Sequence, residues 1–304
     1  IALFIIIGVF GNINNGYENR FDYSVIDIVG IEKEKPDVNE LFGCPEKNVN
    51  NLDSIFCHVN HLNEPKFAIF GDSHADIAAM AINSSNNFGF VVSSLGGCPP
   101  LQGIDIVRGN WDLGVCQQLS LKHIEYIKEN PQIKKVLLVG RWSLYTSGDY
   151  DQSMQKHLLV NKSRMNTSQK ISRQLFQESV TNTIRAYEDL GVAVYILLQI
   201  PQQKFTPIDA IHKTYFSDYA YNNILLKTPK KLHNELQNFN RTVFEKLIIK
   251  NENVFLINLD DMFCDQNNCY MLDEKSLLYR DKDHLSFLGV KHISGELTNA
   301  IKDK

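Results

Sequence analysis

Apolar residues are not spread evenly along this 304-residue chain. From residue 66 onward they gather in short unbroken runs, each followed by a stretch with helical spacing. Residues 67–70, 88–93, 133–139, 192–198 and 254–257 read as strands. Their near-continuous apolar character is that of strands covered on both faces. Between them, residues 75–83 place Ile77, Met80 and Ala81 on one helical face. Residues 119–129 are amphipathic and stop at Asn130-Pro131, and residues 171–190 stop at Gly191. Helices over 232–250 and 284–301 complete the alternation. Alternating buried strands and helices predict a three-layer α/β/α sandwich with a mainly parallel central sheet. Residues 143–168 and 201–229 break the pattern and read as surface loops.

Ahead of residue 66 the pattern differs. Residues 1–10, IALFIIIGVF, are apolar throughout. About 20 apolar residues are needed to cross a bilayer, so this run is too short to span alone. It lacks the basic region that opens a signal peptide. It fits the end of a transmembrane helix, the remnant of a signal sequence, or a buried strand. The first reading is preferred. It gives residues 1–11 as a membrane end, the Asn- and Glu-rich residues 12–65 as a connecting extension, and residues 66–304 as the α/β domain.

Composition narrows the function. Hydrophobic residues make up 43% of the chain, enough for one substantial core. The net charge is −4, and no Lys/Arg run is interleaved with aromatics, which disfavours a nucleic-acid partner. Neither GxGxxG nor GxxxxGK[ST] occurs, so the common nucleotide readings of such a sheet lose support. The six cysteines fall into the sequence-local pairs Cys44–Cys57, Cys98–Cys116 and Cys264–Cys269. Three disulfides and an oxidising compartment are expected; the alternative is six reduced thiols. No pair is CxxC and no histidine joins them at zinc spacing, so no metal site is expected. His58, His61, His123, His157, His212, His233 and His292 stand alone and read as surface or loop residues.

The chemistry concentrates where strands end. Ligands bind at the carboxyl ends of parallel strands. There the first strand runs into Gly71-Asp72-Ser73-His74, the second into Gly96-Gly97 and the third into Arg141-Trp142. Asp or Ser at such a place can simply cap a helix. It can also display a nucleophile. Near the far end stands Tyr279-Arg280-Asp281-Lys282-Asp283-His284-Leu285-Ser286. A histidine here can act as general base, with an aspartate three residues earlier holding its other ring nitrogen. Asp281 or Asp283 can equally cap the last helix.

GDSH early and DxxHLS late, separated by an alternating α/β body, resemble the SGNH (GDSL-like) hydrolase superfamily over residues 66 to about 300. Gly-Gly-Cys-Pro-Pro-Leu at 96–101, Arg141-Trp142, the short Cys264…Cys269 loop and YRDxDHLS narrow the resemblance. They look like the SGNH domain fused to the C-terminus of acyltransferase-3 (AT3) membrane proteins, which O-acetylate bacterial surface polysaccharides. The resemblance implies a flavodoxin-like sheet, with Ser73 as nucleophile, His284 as base and Asp281 as its orienter. The Ser73 N–H and Gly96 or Gly97 would stabilise the oxyanion. The superfamily usually carries an Asn after the third strand, whereas this chain has Val139-Gly140-Arg141-Trp142-Ser143. Arg141 is then a candidate for positive electrostatics. Trp142 is a candidate for sugar stacking, or else a core residue.

The implied function is O-acetyl transfer to a cell-surface polysaccharide through a serine ester. The alternatives are a carbohydrate acetyl esterase and a glycan-binding module with a vestigial triad. The implied partners are an AT3 transmembrane domain in the same full-length chain and a glycan acceptor. The location is the periplasmic side of the inner membrane. No cofactor is expected in this domain, and acetyl arrives from acetyl-CoA through the membrane part.

Overall fold

The computed structural model describes residues 2–14, 38–60, 64–85, 88–106, 114–150, 157–162, 168–216, 226–273 and 276–302. Parts of the expected extension (15–37 and 61–63) and of the two expected loops (151–156, 163–167 and 217–225) lie outside the described residues, as does His61.

Six strands form the central sheet: β1 (Phe56–Val59), β2 (Phe67–Gly71), β3 (Phe90–Ser94), β4 (Lys135–Val139), β5 (Ala193–Leu197) and β6 (Val254–Ile257). Their spatial order is β1-β3-β2-β4-β5-β6. All neighbours are parallel except β1, which runs antiparallel to β3 at the edge. The five parallel strands therefore have the flavodoxin-like order, with the chain reversing direction across the sheet between β2 and β4. That reversal opens a crevice at the carboxyl ends of β2 and β4, where Ser73 and Arg141 follow.

Strand residues alternate between two cores, as the period of two requires. Phe67, Ile69, Leu137, Val139, Tyr195 and Leu197 pack on the side of α1 (Ser73–Ser84) and a C-terminal helix, Phe287–Lys302. Ala68, Phe70, Val136, Leu138, Val194 and Ile196 face the other side. There they meet α2 (Val115–Glu129), α3 (Gln169–Glu188) and α4 (Lys230–Ile248). With both faces covered, the strands have no polar side to show. This explains their continuous apolar runs. In chain order the Phe287–Lys302 helix is α5.

Two features depart from the sequence reading. Residues 56–59 fall in the stretch assigned to the connecting extension, yet they form β1, and the Cys44–Cys57 disulfide fastens that stretch to the sheet. The alternation Phe-Cys-His-Val is too short and mixed to announce a strand by itself. Pairing with β3 decides it. The expected surface excursion at 143–168 begins instead with a buried helix, Trp142–Thr146. Its backbone is held by tertiary partners: the Gln199 Oε1 accepts the Ser143 N–H at 2.8 Å. The second expected loop carries a helix, Pro207–Phe216, and a strand, Lys227–Pro229. The other two expected disulfides, Cys98–Cys116 and Cys264–Cys269, are also present.

Gly71 ends β2 where the backbone of β4 presses closest. A Cβ at this position would sit 2.1 Å from the Val139 carbonyl oxygen. No side chain fits there without separating the two strands. Gly71→Ala is expected to lower the unfolding free energy by about 1–3 kcal/mol, the usual range for overpacking, as read from urea melts. A wild-type midpoint would show that β2 and β4 can part at this point without cost.

Candidate active site

The turn after β2 satisfies both readings of GDSH. Asp72 is the N-cap of α1, with extended backbone (φ −81°, ψ −159°), and its Oδ1 accepts the His74 N–H at 2.9 Å. Ser73 is the first residue of the helix, half-buried at the crevice. The positive end of the helix dipole lies at the same place and favours negative charge there.

The last helix starts at Phe287, three residues later than the sequence pattern predicts. Ser286 takes the cap position, its Oγ accepting the Gly289 N–H at 3.1 Å. Asp281 turns the preceding segment back on itself: its Oδ1 accepts the N–H groups of Asp283 (2.9 Å) and His284 (2.7 Å). The Arg280 N–H donates to the His284 carbonyl at 3.0 Å, and Tyr279 bridges Leu285. These local bonds compete with helix and leave His284 opposite Arg280 at the closing end of a tight hairpin loop. The hairpin is pinned from outside by the Tyr279 hydroxyl, which donates to the Pro201 carbonyl at 2.7 Å, and by the Gln203 N–H, which donates to the Lys282 carbonyl at 2.6 Å.

The hairpin delivers His284 to Ser73. Ser73 Oγ lies 2.7 Å from His284 Nε2, and His284 Nδ1 lies 2.9 Å from Asp281 Oδ2. With Asp281 accepting from Nδ1–H, Nε2 is the free acceptor for the serine proton. Burial by itself raises the Asp281 pKa. The hydrogen bonds and charge of His284 and the two backbone donors outweigh it and hold the carboxyl below its ordinary range. Ser73, His284 and Asp281 therefore form the arrangement expected from the sequence.

Behind this line lies a second cluster, in which Asp72 and Asp283, both readable from the sequence as helix caps, meet His74 and Arg141. Asp72 Oδ2 accepts the Arg141 backbone N–H at 2.8 Å and the Tyr145 hydroxyl at 2.7 Å. Asp72 Oδ1 lies 3.1 Å from His74 Nδ1. Burial pushes the Asp72 pKa up, but the charge of His74 and the hydrogen bonds from His74 and Tyr145 bring it down to about 2. The His74 ring stacks on the His284 ring at 4.6 Å with 23° between planes. Asp283 Oδ2 lies 3.5 Å from His74 Nε2 and 3.4 Å from Arg141 Nη1. A cavity of about 10 Å³ behind the rings, lined by His74, Gly140, Gln199 and Asp283 among others, has room for about one water and none for a substrate.

The remaining candidates divide. Of the two readings of Trp142, the structure has the core residue. It is 1% exposed, its Nε1–H donates to the Leu197 carbonyl at 2.8 Å, and Phe176 and Phe244 meet it edge-on. A sugar cannot reach either ring face. Arg141 is buried and spends its charge beside Asp283. Gly96 and Gly97 occupy the turn after β3, which the Leu95 N–H ties to the Gly71 carbonyl at 3.1 Å, one residue from the Asp72-Ser73 turn. His123 and His233 are corrected from surface or loop residues to buried helical ones, and His157 is buried. His123 stacks on Phe70 at 4.1 Å, and burial lowers its pKa to about 3. His233 pairs with Asp260 at 3.1 Å and Arg241 at 2.9 Å.

His74, Asp283 and His284 bring possible metal ligands close together. The two imidazoles are stacked, however, so their in-plane lone pairs run side by side and do not converge on one point.

A family model for SGNH domains fused to AT3 domains matches residues 43–299. The chain belongs to this SGNH domain family. The match begins ahead of β1, in keeping with the place of that strand in the sheet. Among solved structures, the SGNH domain is similar to the periplasmic domain of a lipopolysaccharide acetyltransferase from Salmonella ser. Paratyphi A. The TM-score is 0.58 and the identity 16%, covering 90% of this chain and 99% of that one. A GDSL-like lipase from Bacteroides thetaiotaomicron gives a TM-score of 0.41 at 11% identity, covering 80% and 94%. Curated proteins give no sequence match. An SGNH domain with this serine, histidine and aspartate is an enzyme of acyl transfer or ester hydrolysis.

Asp72 also carries a pH signature. Its folded pKa of about 2 lies below the ordinary carboxylate value of about 3.9 in an unfolded chain. The stabilisation is therefore fully present above about pH 4 and is lost as pH falls toward about 2. Asp72→Asn is expected to remove on the order of 2 kcal/mol of stability at neutral pH and to flatten the acid limb between those values. Urea melts at a series of pH values measure it. An unchanged acid limb would show that Asp72 is not the titrating group.

Proposed function

We propose that this SGNH domain catalyses the O-acetyltransferase step on a bacterial cell-surface polysaccharide, passing acetyl through an ester on Ser73. The observation that carries the reading is the Ser73–His284–Asp281 line, 2.7 and 2.9 Å from atom to atom, in a domain of the AT3-fused family. Ser73 Oγ attacks the acetyl carbonyl while His284 Nε2 takes the hydroxyl proton. The tetrahedral oxyanion forms over the start of α1, where the Ser73 N–H and the N–H of Gly96 or Gly97 are the candidate donors. Each donor of this kind is worth about 2.7–4 kcal/mol of barrier. The proton passes to the departing group, leaving acetyl-Ser73. A sugar hydroxyl then attacks the ester, giving its proton to His284, and Ser73 is restored. Asp281 holds the tautomer and stabilises the imidazolium in both halves.

In this reading the acetyl donor is supplied through an AT3 transmembrane domain of the same full-length chain, from cytoplasmic acetyl-CoA, and the domain faces the periplasm. Three disulfides fit an oxidising compartment. Among the described residues no helix is long and apolar enough to cross a membrane. The helix Ala2–Ile13 leaves Phe4, Ile7 and Phe10 exposed, as the end of a longer apolar helix would. The neighbour from Salmonella, itself a lipopolysaccharide acetyltransferase domain, supports a glycan acceptor.

The test incubates the chain with a chromogenic acetyl ester, with and without oligosaccharide acceptors, and looks for acetyl-Ser73 by mass spectrometry. Acetyl-Ser73 with acetylated sugar as product is the expected result. Release of acetate alone, whichever acceptor is present, would make it an esterase. Ser73→Ala is expected to slow turnover by about 10⁴-fold or more. A wild-type rate in that variant would overturn the serine ester and leave a binding module.

A further inference from the structure

The triad leaves a charged group of the same cluster unused. Asp283 Oδ2 sits 3.6 Å from His284 Nδ1, 3.5 Å from His74 Nε2 and 3.4 Å from Arg141 Nη1. We propose that His74 and Asp283 are positioning residues that set the basicity of His284: His74 is a cation stacked on the catalytic ring, and Asp283 is the counter-charge that keeps the ring basic. The proposal rests on the triad reading above.

The geometry gives each group its part. His74 lies between two carboxylates, Asp72 at Nδ1 and Asp283 at Nε2. Burial lowers its pKa, but the charge and hydrogen bond of Asp72, with Asp283 behind them, more than offset this and raise it. His74 Nε2 is buried without a hydrogen-bond partner and has the Asp283 oxygen as its nearest counter-charge. A cation 4.6 Å above the His284 ring opposes the imidazolium that must form in each half-reaction.

Asp281, hydrogen-bonded to Nδ1 at 2.9 Å, opposes that cation, and Asp283 adds a second anion. The Asp281 side chain is 40% exposed, whereas that of Asp283 is 11% exposed, so the Asp283 charge acts through less solvent. The other charged groups facing the pair are Asp72 from the β2–α1 turn, Arg141 after β4, and Arg280 and Asp281 from the hairpin. The nearby Tyr145 and Tyr279 hydroxyls are committed to Asp72 and to the Pro201 carbonyl. The catalytic ring thus has a stacked cation on one side and a shared anion at its edge, and either one can be removed separately.

Histidine NMR titrations of the 304-residue chain test this. The His284 signal is assigned by its loss in His284→Gln, and pH–rate profiles for an acetyl ester run alongside. Asp283→Asn is expected to lower the His284 midpoint and His74→Gln to raise it, each by about one pH unit. The acid limb of kcat/KM should move with each, and Asp283→Glu should restore the wild-type midpoint. A purely structural role would lower turnover at every pH and leave the midpoint in place. That result, or shifts of the same sign in both variants, overturns the proposal. If thermal melts show that Asp283→Asn does not fold, His74→Gln alone decides: an upward shift supports the pair and none refutes it. A wild-type rate in Ser73→Ala would instead sink the triad, and the titration would still report on the pair.

Discussion

A buried carboxylate organises the edge of the sheet that carries the candidate active site. Asp72 is 2% exposed and receives donors from three places: its own helix through the His74 N–H and ring, the turn after β4 through the Arg141 N–H, and the buried helix Trp142–Thr146 through the Tyr145 hydroxyl. An unpaired carboxylate could not stay ionised there, because burial would push its proton affinity up. The ionised state and the meeting of these segments therefore depend on each other. Ser73, next in the chain, inherits its position from that knot. The close approach of β2 to β4 at Gly71 holds the same turn from the backbone side.

The histidine arrives from the opposite end of the chain, and its approach is a tertiary achievement. Ser73 and His284 are 211 residues apart. The contact exists because α1 and α5 pack side by side on one face of the sheet, sharing the core of Ile77, Ala78, Ile293 and Leu297. Gly289 lets the first turn of α5 sit against the Leu278 backbone, where a Cβ would come within 2.0 Å of the carbonyl oxygen. Apolar burial over the whole face thus supplies the tolerance of a few tenths of an ångström that proton transfer needs.

The segment ahead of the first parallel strand belongs to the same machinery. Besides contributing β1, it sends Lys47 to Asp76 in the first turn of α1 (2.8 Å) and to the Ser94 hydroxyl at the end of β3 (2.6 Å). Asp76 lies one turn beyond Ser73, and Ser94 immediately precedes the Leu95-Gly96-Gly97 turn. The ammonium links the helix that displays the serine to the loop that carries the candidate oxyanion donors. Cys98–Cys116 anchors that loop from its other end.

How much of this was legible in the residues follows from the range of the forces involved. The sheet, its main strands and the covering helices could be read because a strand buried on both faces must be apolar at every position, and a helix must be apolar on one side. Ser73, His284 and Asp281 could be read because two short motifs fix their local geometry: a strand–turn–helix for the serine, and an aspartate three residues ahead of the histidine for the hairpin. Where the controlling partner lies far along the chain, the local pattern misled. Trp142 stayed open between a sugar face and the core until the Leu197 carbonyl and two phenylalanines enclosed it. His123 and His233 looked exposed until Phe70, Ser93, Asp260 and Arg241 supplied partners. The strand at 56–59 was masked because an edge strand owes its form to the neighbour it pairs with. His74 and Asp283 stand in the two motifs, one beside Ser73 and one beside His284. Only the packed structure stacks one ring on the other and sets an anion between them, because that contact is made across the full length of the chain.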